Sequence, residues 1–129
     1  MRFAHVMIRV NNLDESIEFY SQVLGMKILD IMVNEEYKYT IAFLGYGSDR
    51  HNETCIELTY NWGTEAYELG NAFGHLAMAV EDVYKACEEV EAKGGTVTRP
   101  AGPLKGKPDS IIAFIKDPNG YQIELVTQK

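Results

Sequence analysis

The sequence predicts an α+β fold made of two pseudo-symmetric βαβββ modules that together form a concave mixed sheet. Two observations predict it. The chain repeats itself: His5-Val-Met-Ile-Arg-Val10 returns as His75-Leu-Ala-Met-Ala-Val80, 70 residues later. The repeat then continues in order. At the same offset Leu13 meets Val83, Tyr20 meets Val90 and Gly25 meets Gly95; IAFL (41–44) is echoed by IAFI (112–115), and Ile56-Glu57-Leu58 by Ile123-Glu124-Leu125. Strand, helix, glycine stop and acidic strand in the same order twice are the mark of a duplicated unit.

Each copy reads as a strand, a helix and two or three further strands. The first strand covers about residues 3–10, with Val6, Ile8 and Val10 on one face and His5, Met7 and Arg9 on the other. A helix follows over about 14–24, with Asn12 as N-cap, Leu13, Ile17, Tyr20 and Leu24 at helical spacing, and Gly25 as stop. Strands are expected near 27–33, 37–45 and 54–60. The second copy repeats this, with a strand near 74–80, a helix near 83–93 stopped by Gly94-Gly95, and strands near 96–98, 110–115 and 121–127. Asp117-Pro-Asn-Gly120 reads as a tight turn. The Gly/Pro-rich stretch Ala101–Pro108 reads as a mobile loop of the kind that closes over a site. The chain is thus one domain, with a first module at about 1–60, a linker at about 61–73 and a second module at about 74–129.

At 129 residues the chain can bury a real core, since a domain of this size covers roughly two-thirds of its unfolded surface. A net charge of −7 excludes a phosphate-neutralising nucleic-acid binder and makes recognition of any anionic ligand the work of a few placed cations. No apolar stretch approaches the ~20 residues of a membrane span. The opening MRFAHVMIRV alternates like a strand, unlike the apolar core of a secretory signal. Two cysteines, Cys55 and Cys87, form no disulfide framework, so the cytoplasm is the expected compartment.

Alternation also places the chemistry. Around Glu57, Ile56, Leu58 and Tyr60 oppose Cys55, Glu57, Thr59 and Asn61. Around Glu124, Ile123 and Leu125 oppose Gln122, Glu124 and Val126; around His75, Leu76, Met78 and Val80 oppose His75, Ala77 and Ala79. The aliphatic rows suit the cover of a helix, which puts His5, Glu57, His75 and Glu124 on the open face. Two imidazoles and two carboxylates suit Zn, Ni, Co, Mn or Fe, and four protein ligands leave positions for water or substrate. A lone strand histidine would carry little; the four residues at repeat-equivalent positions carry the reading. His51, in the polar stretch 48–53, has no repeat partner and reads as exposed, and Cys55 reads as a structural thiol.

With these residues in view, HVMIRVNNLDESIEFY, ELTYNWG, YELGNAFGH and DPNGYQIEL resemble the short bacterial glyoxalase I (lactoylglutathione lyase) family of the vicinal oxygen chelate superfamily. The resemblance covers nearly the whole chain. It implies isomerisation of the methylglyoxal–glutathione hemithioacetal to S-lactoylglutathione through a metal-stabilised enediolate. It further implies His5, Glu57, His75 and Glu124 as the metal ligands, with Glu124 as the principal catalytic base and Glu57 its pseudo-symmetric partner. Arg9 and Asn61 would hold the γ-glutamyl end of the substrate, Arg99 and Lys105 its glycyl carboxylate, and His75 would border the bound substrate as well as the metal. Nickel is the expected metal, with cobalt or zinc possible, because the zinc-active members carry longer N-terminal and internal segments. The implied assembly is a homodimer whose sites are shared, taking His5 and Glu57 from one subunit and His75 and Glu124 from the other. The competing functions are another metal-dependent enzyme of the superfamily, an epimerase or dioxygenase, and a metal-free small-molecule-binding protein of the same fold. Glu57 speaks against the first, since the dioxygenases use a three-ligand set and the epimerases carry Gln near this position. The intact ligand set speaks against the second.

Overall fold

The computed structural model describes residues 1–129, which divide into two compact units, Met1–Glu68 and Leu69–Lys129.

In the first unit, β1 (His5–Arg9) leads into α1 (Leu13–Glu18), followed by β2 (Lys27–Asn34), β3 (Tyr39–Gly45) and β4 (Cys55–Asn61). The sheet order is β1-β4-β3-β2, with β1 parallel to β4 and the remaining pairs antiparallel. Asn12 caps α1 by accepting the Glu15 backbone N–H at 3.1 Å. The helix does not end at Glu18 but widens into a π-type turn over Phe19–Val23, where the Leu24 N–H reaches the Phe19 carbonyl. The extra residue per turn shifts the buried stripe: Ser16, Phe19 and Tyr20 are covered, and of the expected Leu13, Ile17, Tyr20 and Leu24 only Tyr20 is fully so. Gly25, at φ 73°, reverses the chain into β2.

The second unit runs β5 (Leu76–Val80), α2 (Val83–Ala92), β6 (Thr96–Leu104), β7 (Lys107–Lys116) and β8 (Gln122–Thr127). Its order is β5-β8-β7-β6, the same pattern with β5 parallel to β8. Asp82 caps α2, and the Gly94-Gly95 stop is a Schellman closure. Gly94 sits at φ 86°, and the Gly95 N–H donates to the Val90 carbonyl at 2.8 Å. Val83, Cys87 and Val90 form the buried helix face, with Ile115, Ile123 and Leu125 buried in the sheet. The Asp117 turn is built from its own carboxylate, which accepts the N–H groups of Asn119 at 2.9 Å and Tyr121 at 2.8 Å and so fixes where β8 begins.

One expectation needs correction. The stretch 101–108 is not a loop: β6 continues to Leu104, β7 starts at Lys107, and only a tight turn at Lys105-Gly106 joins them. Pro100 and Pro103 cannot donate to a ladder, which is why the segment reads as irregular. The hairpin accommodates them with register breaks between Val97 and Arg99, Arg99 and Gly102, and Pro103 and Leu104. No helix is long and apolar enough to cross a membrane.

Candidate metal centre

The strand registers put a histidine and a glutamate side by side in each unit. Glu57 pairs across β4 with Met7, two residues beyond His5 on the same face of β1. His5 Nε2 consequently lies 3.4 Å from Glu57 Oε1. In the second unit Glu124 pairs with Ala77, two residues beyond His75, and His75 Nε2 lies 3.6 Å from Glu124 Oε1. The alternation also holds: Val6 and Ile8 are covered while His5, Met7 and Arg9 are exposed, and Leu76, Met78 and Val80 are half-buried while His75, Ala77 and Ala79 are exposed.

A nitrogen and an oxygen bound to one divalent ion at about 2.0–2.2 Å stand roughly 3.0–3.5 Å apart; the first pair, at 3.4 Å, has that spacing and the second, at 3.6 Å, lies just beyond it. The donor set, imidazole plus carboxylate, is the one first-row divalent metals accept. Neither unit gathers a third His, Cys, Asp or Glu beside its pair.

A phenylalanine completes each pair, and sequence reasoning passed over it. Phe43 pairs across β3 with Glu57 and meets the His5 ring edge-to-face at 5.6 Å; Phe114 pairs with Glu124 and meets His75 at 5.2 Å. The signal was present in the IAFL and IAFI echo. Each ring contact limits how its imidazole turns. In the first unit only, Arg50 stacks its guanidinium 4.3 Å from the Phe43 ring and pairs through Nε with Asp30 Oδ2 at 3.0 Å. Arg50 was not among the candidate residues.

The remaining candidates fall as follows. Arg9 and Asn61 occupy the far end of β1 and β4 on the face of His5 and Glu57, and Asn61 Nδ2 donates to the Tyr67 hydroxyl at 3.1 Å. Arg99 borders an open depression together with Gly74, His75, Thr98, Phe114 and Gln122. Its guanidinium is committed to the backbone, with Nη1 donating to the carbonyls of Pro100, Gly102 and Ile112 at 3.1, 3.1 and 2.8 Å and Nη2 to Pro103 at 3.0 Å. These carbonyls face the irregular stretch of β6, so Arg99 replaces ladder bonds that the bulges and prolines remove. Lys105 is exposed at the hairpin tip. His51 is exposed, and Arg2 donates to its backbone carbonyl. Cys55 is buried and unpaired, and burial pushes its thiol up from its ordinary value, consistent with a structural role.

Residues 2–125 match the Glyoxalase/Bleomycin resistance protein/Dioxygenase superfamily. The lactoylglutathione lyase of Salmonella typhimurium is 54% identical over 129 residues, covering 100% of this chain and 94% of that protein. A probable lactoylglutathione lyase of Vibrio cholerae is 56% identical over 128 residues, covering 99% and 91%. Among solved structures, glyoxalase I from Zea mays superposes with a TM-score of 0.94 at 44% identity, over 98% of this chain; this chain spans only 44% of the maize chain's length. The trypanothione-dependent glyoxalase I of Leishmania major superposes with a TM-score of 0.87 at 41% identity, over 98% of this chain and 86% of that one. A domain-wide family match, relatives more than half identical over nearly their whole length, and the doubled His–Glu–Phe arrangement agree: the chain belongs to the glyoxalase superfamily and, within it, to the lactoylglutathione lyases, the glyoxalase I enzymes.

Proposed function

We propose that this chain isomerises the hemithioacetal of methylglyoxal and glutathione to S-lactoylglutathione, with a divalent metal held by His5, Glu57, His75 and Glu124. The observation that carries the metal is the His–Glu pair repeated at 3.4 and 3.6 Å in the two units. When bound, the ion supplies Lewis acidity that offsets negative charge developing on the substrate oxygens. Glu124 takes the proton from C1 and returns it to C2, while the hydroxyl proton passes from the C1 oxygen to the C2 oxygen, so the hemithioacetal becomes a thioester with no atom gained or lost. Glu57 and the two imidazoles hold the ion, and His75 also borders the substrate. Arg9 and Asn61 receive the γ-glutamyl end. Lys105 serves the glycyl carboxylate more readily than Arg99, whose donors are engaged in the hairpin.

Each unit offers two donors, short of what retains an ion against water. This supports a homodimer in which His5 and Glu57 of one subunit meet His75 and Glu124 of the partner. Nickel is the proposed metal, on the resemblance to the short class. The two unpaired thiols support a cytoplasmic setting.

The test is thioester absorbance after mixing methylglyoxal and glutathione with metal-stripped protein reloaded with Ni, Co or Zn. We expect no product from the stripped protein, high turnover with Ni or Co, and less with Zn. Full turnover without metal would contradict the proposal, and full turnover with Zn would contradict the metal assignment. Turnover with trypanothione but not glutathione would replace the thiol.

A further inference from the structure

The two units share the same His–Glu–Phe arrangement, but the neighbours of the two carboxylates differ. His5 corresponds to His75, Phe43 to Phe114 and Glu57 to Glu124, in the same register and at nearly the same distances. Two residues past Glu57, on the same face of β4, stands Thr59; two residues past Glu124 on β8 stands Val126. The Thr59 hydroxyl donates to Glu57 Oε2 at 3.0 Å. The Glu57 carboxylate therefore faces His5 with Oε1 and is held by Thr59 at Oε2. Glu124 has its imidazole contact alone, because valine has the shape of threonine without the donor.

We propose that Thr59 is a positioning residue that fixes Glu57 as the standing ligand, and that the missing hydroxyl at Val126 leaves Glu124 as the carboxylate free to swing between metal and substrate. This rests on the reading that Glu124 moves the proton. The physical basis is direct. Thr59 is 9% exposed, so water competes weakly for its hydroxyl. A β-branched side chain in a strand has few rotamers, so the hydroxyl stays aimed at its neighbour. A hydrogen bond to an ionised oxygen is among the stronger ones, and it must break before the carboxylate can rotate. A base that shuttles one proton between adjacent carbons has to move, and a carboxylate held by a hydrogen bond at one oxygen moves less than one without it. Arg50, also confined to the first unit, lies over the Phe43 ring and is paired with Asp30.

The experiment uses the full chain with Ni²⁺ as probe and reads nickel affinity by chelator competition alongside kcat and KM. Thr59→Val should weaken nickel binding about tenfold, the loss of one charge-assisted hydrogen bond, and Thr59→Ser should restore it. Val126→Thr, which is isosteric, should keep nickel affinity and lower kcat about tenfold with KM unchanged, because it pins Glu124. In a Glu124→Gln background, Thr59→Val should raise the residual turnover by freeing Glu57. Nickel affinity and kcat within twofold of the parent for both single variants, or a fall in Tm alone, would overturn the proposal. Wild-type kcat in Glu124→Gln would instead remove the base reading, and the chelator competition would then decide by itself whether Thr59 holds Glu57.

Discussion

His5 Nε2 stands 3.4 Å from Glu57 Oε1 because β1 and β4 run parallel with Met7 opposite Glu57, which brings the two side chains onto one face from adjacent strands. β5 and β8 repeat the relationship for His75 and Glu124.

Glu124→Gln keeps shape and one oxygen donor while removing the charge that, in the proposed reaction, accepts the C1 proton. Loss of a general base commonly costs about 10²–10⁴ in rate. We expect kcat to fall by that order with KM little changed, and Glu57→Gln to cost markedly less. Steady-state kinetics on the two nickel-loaded variants decide it, and equal losses would mean that the carboxylates are used symmetrically.

Arg99→Ala should destabilise the β6–β7 hairpin. The guanidinium serves the carbonyls of Pro100, Gly102, Pro103 and Ile112, two of these bonds part-buried and two exposed, and a hydrogen bond of this kind contributes about 1 kcal/mol. Thermal unfolding should show a drop of several degrees, and hydrogen exchange should rise in β6 and β7 first. If Tm is unchanged while KM for the glutathione adduct rises, Arg99 is a substrate residue after all.

Burial raises the thiols of both Cys55 and Cys87 above their ordinary value. Both should label slowly with a thiol reagent in the native protein at neutral pH and rapidly after denaturation. The neutral thiol is favoured by folding, so its contribution to stability is whole below a free thiol's ordinary range and is lost as pH rises through the raised folded value. Rapid native labelling of Cys55 would show a reactive thiol.

Much of this was legible in the sequence because burial leaves a period. The covered row Val6, Ile8, Val10 and the open row His5, Met7, Arg9 follow from alternation alone. Asn12 and Gly94-Gly95 announce the helix boundaries by chemistry that no tertiary contact overrides. What escaped depends on contacts between distant residues. Arg99 holds the carbonyls that make a proline-containing hairpin possible, so Pro100 and Pro103 looked like a loop. Phe43 and Phe114 lay in a visible echo, but only the cross-strand register sets them against the histidines. Arg50 reaches Phe43 from a loop with no counterpart in the second half. The π-type turn after Glu18 keeps helical composition while rotating the buried stripe.

The proposal that two subunits complete one site is tested most directly by mixing a His5→Ala protein with a Glu124→Ala protein. Each alone should be nearly inactive and hold little nickel. In a heterodimer with shared sites, one site loses both altered ligands and the other keeps all four, so turnover and nickel binding should partly return as subunits exchange. No recovery of either, with exchange verified by mass, would contradict the shared site and assign all four ligands to a single chain.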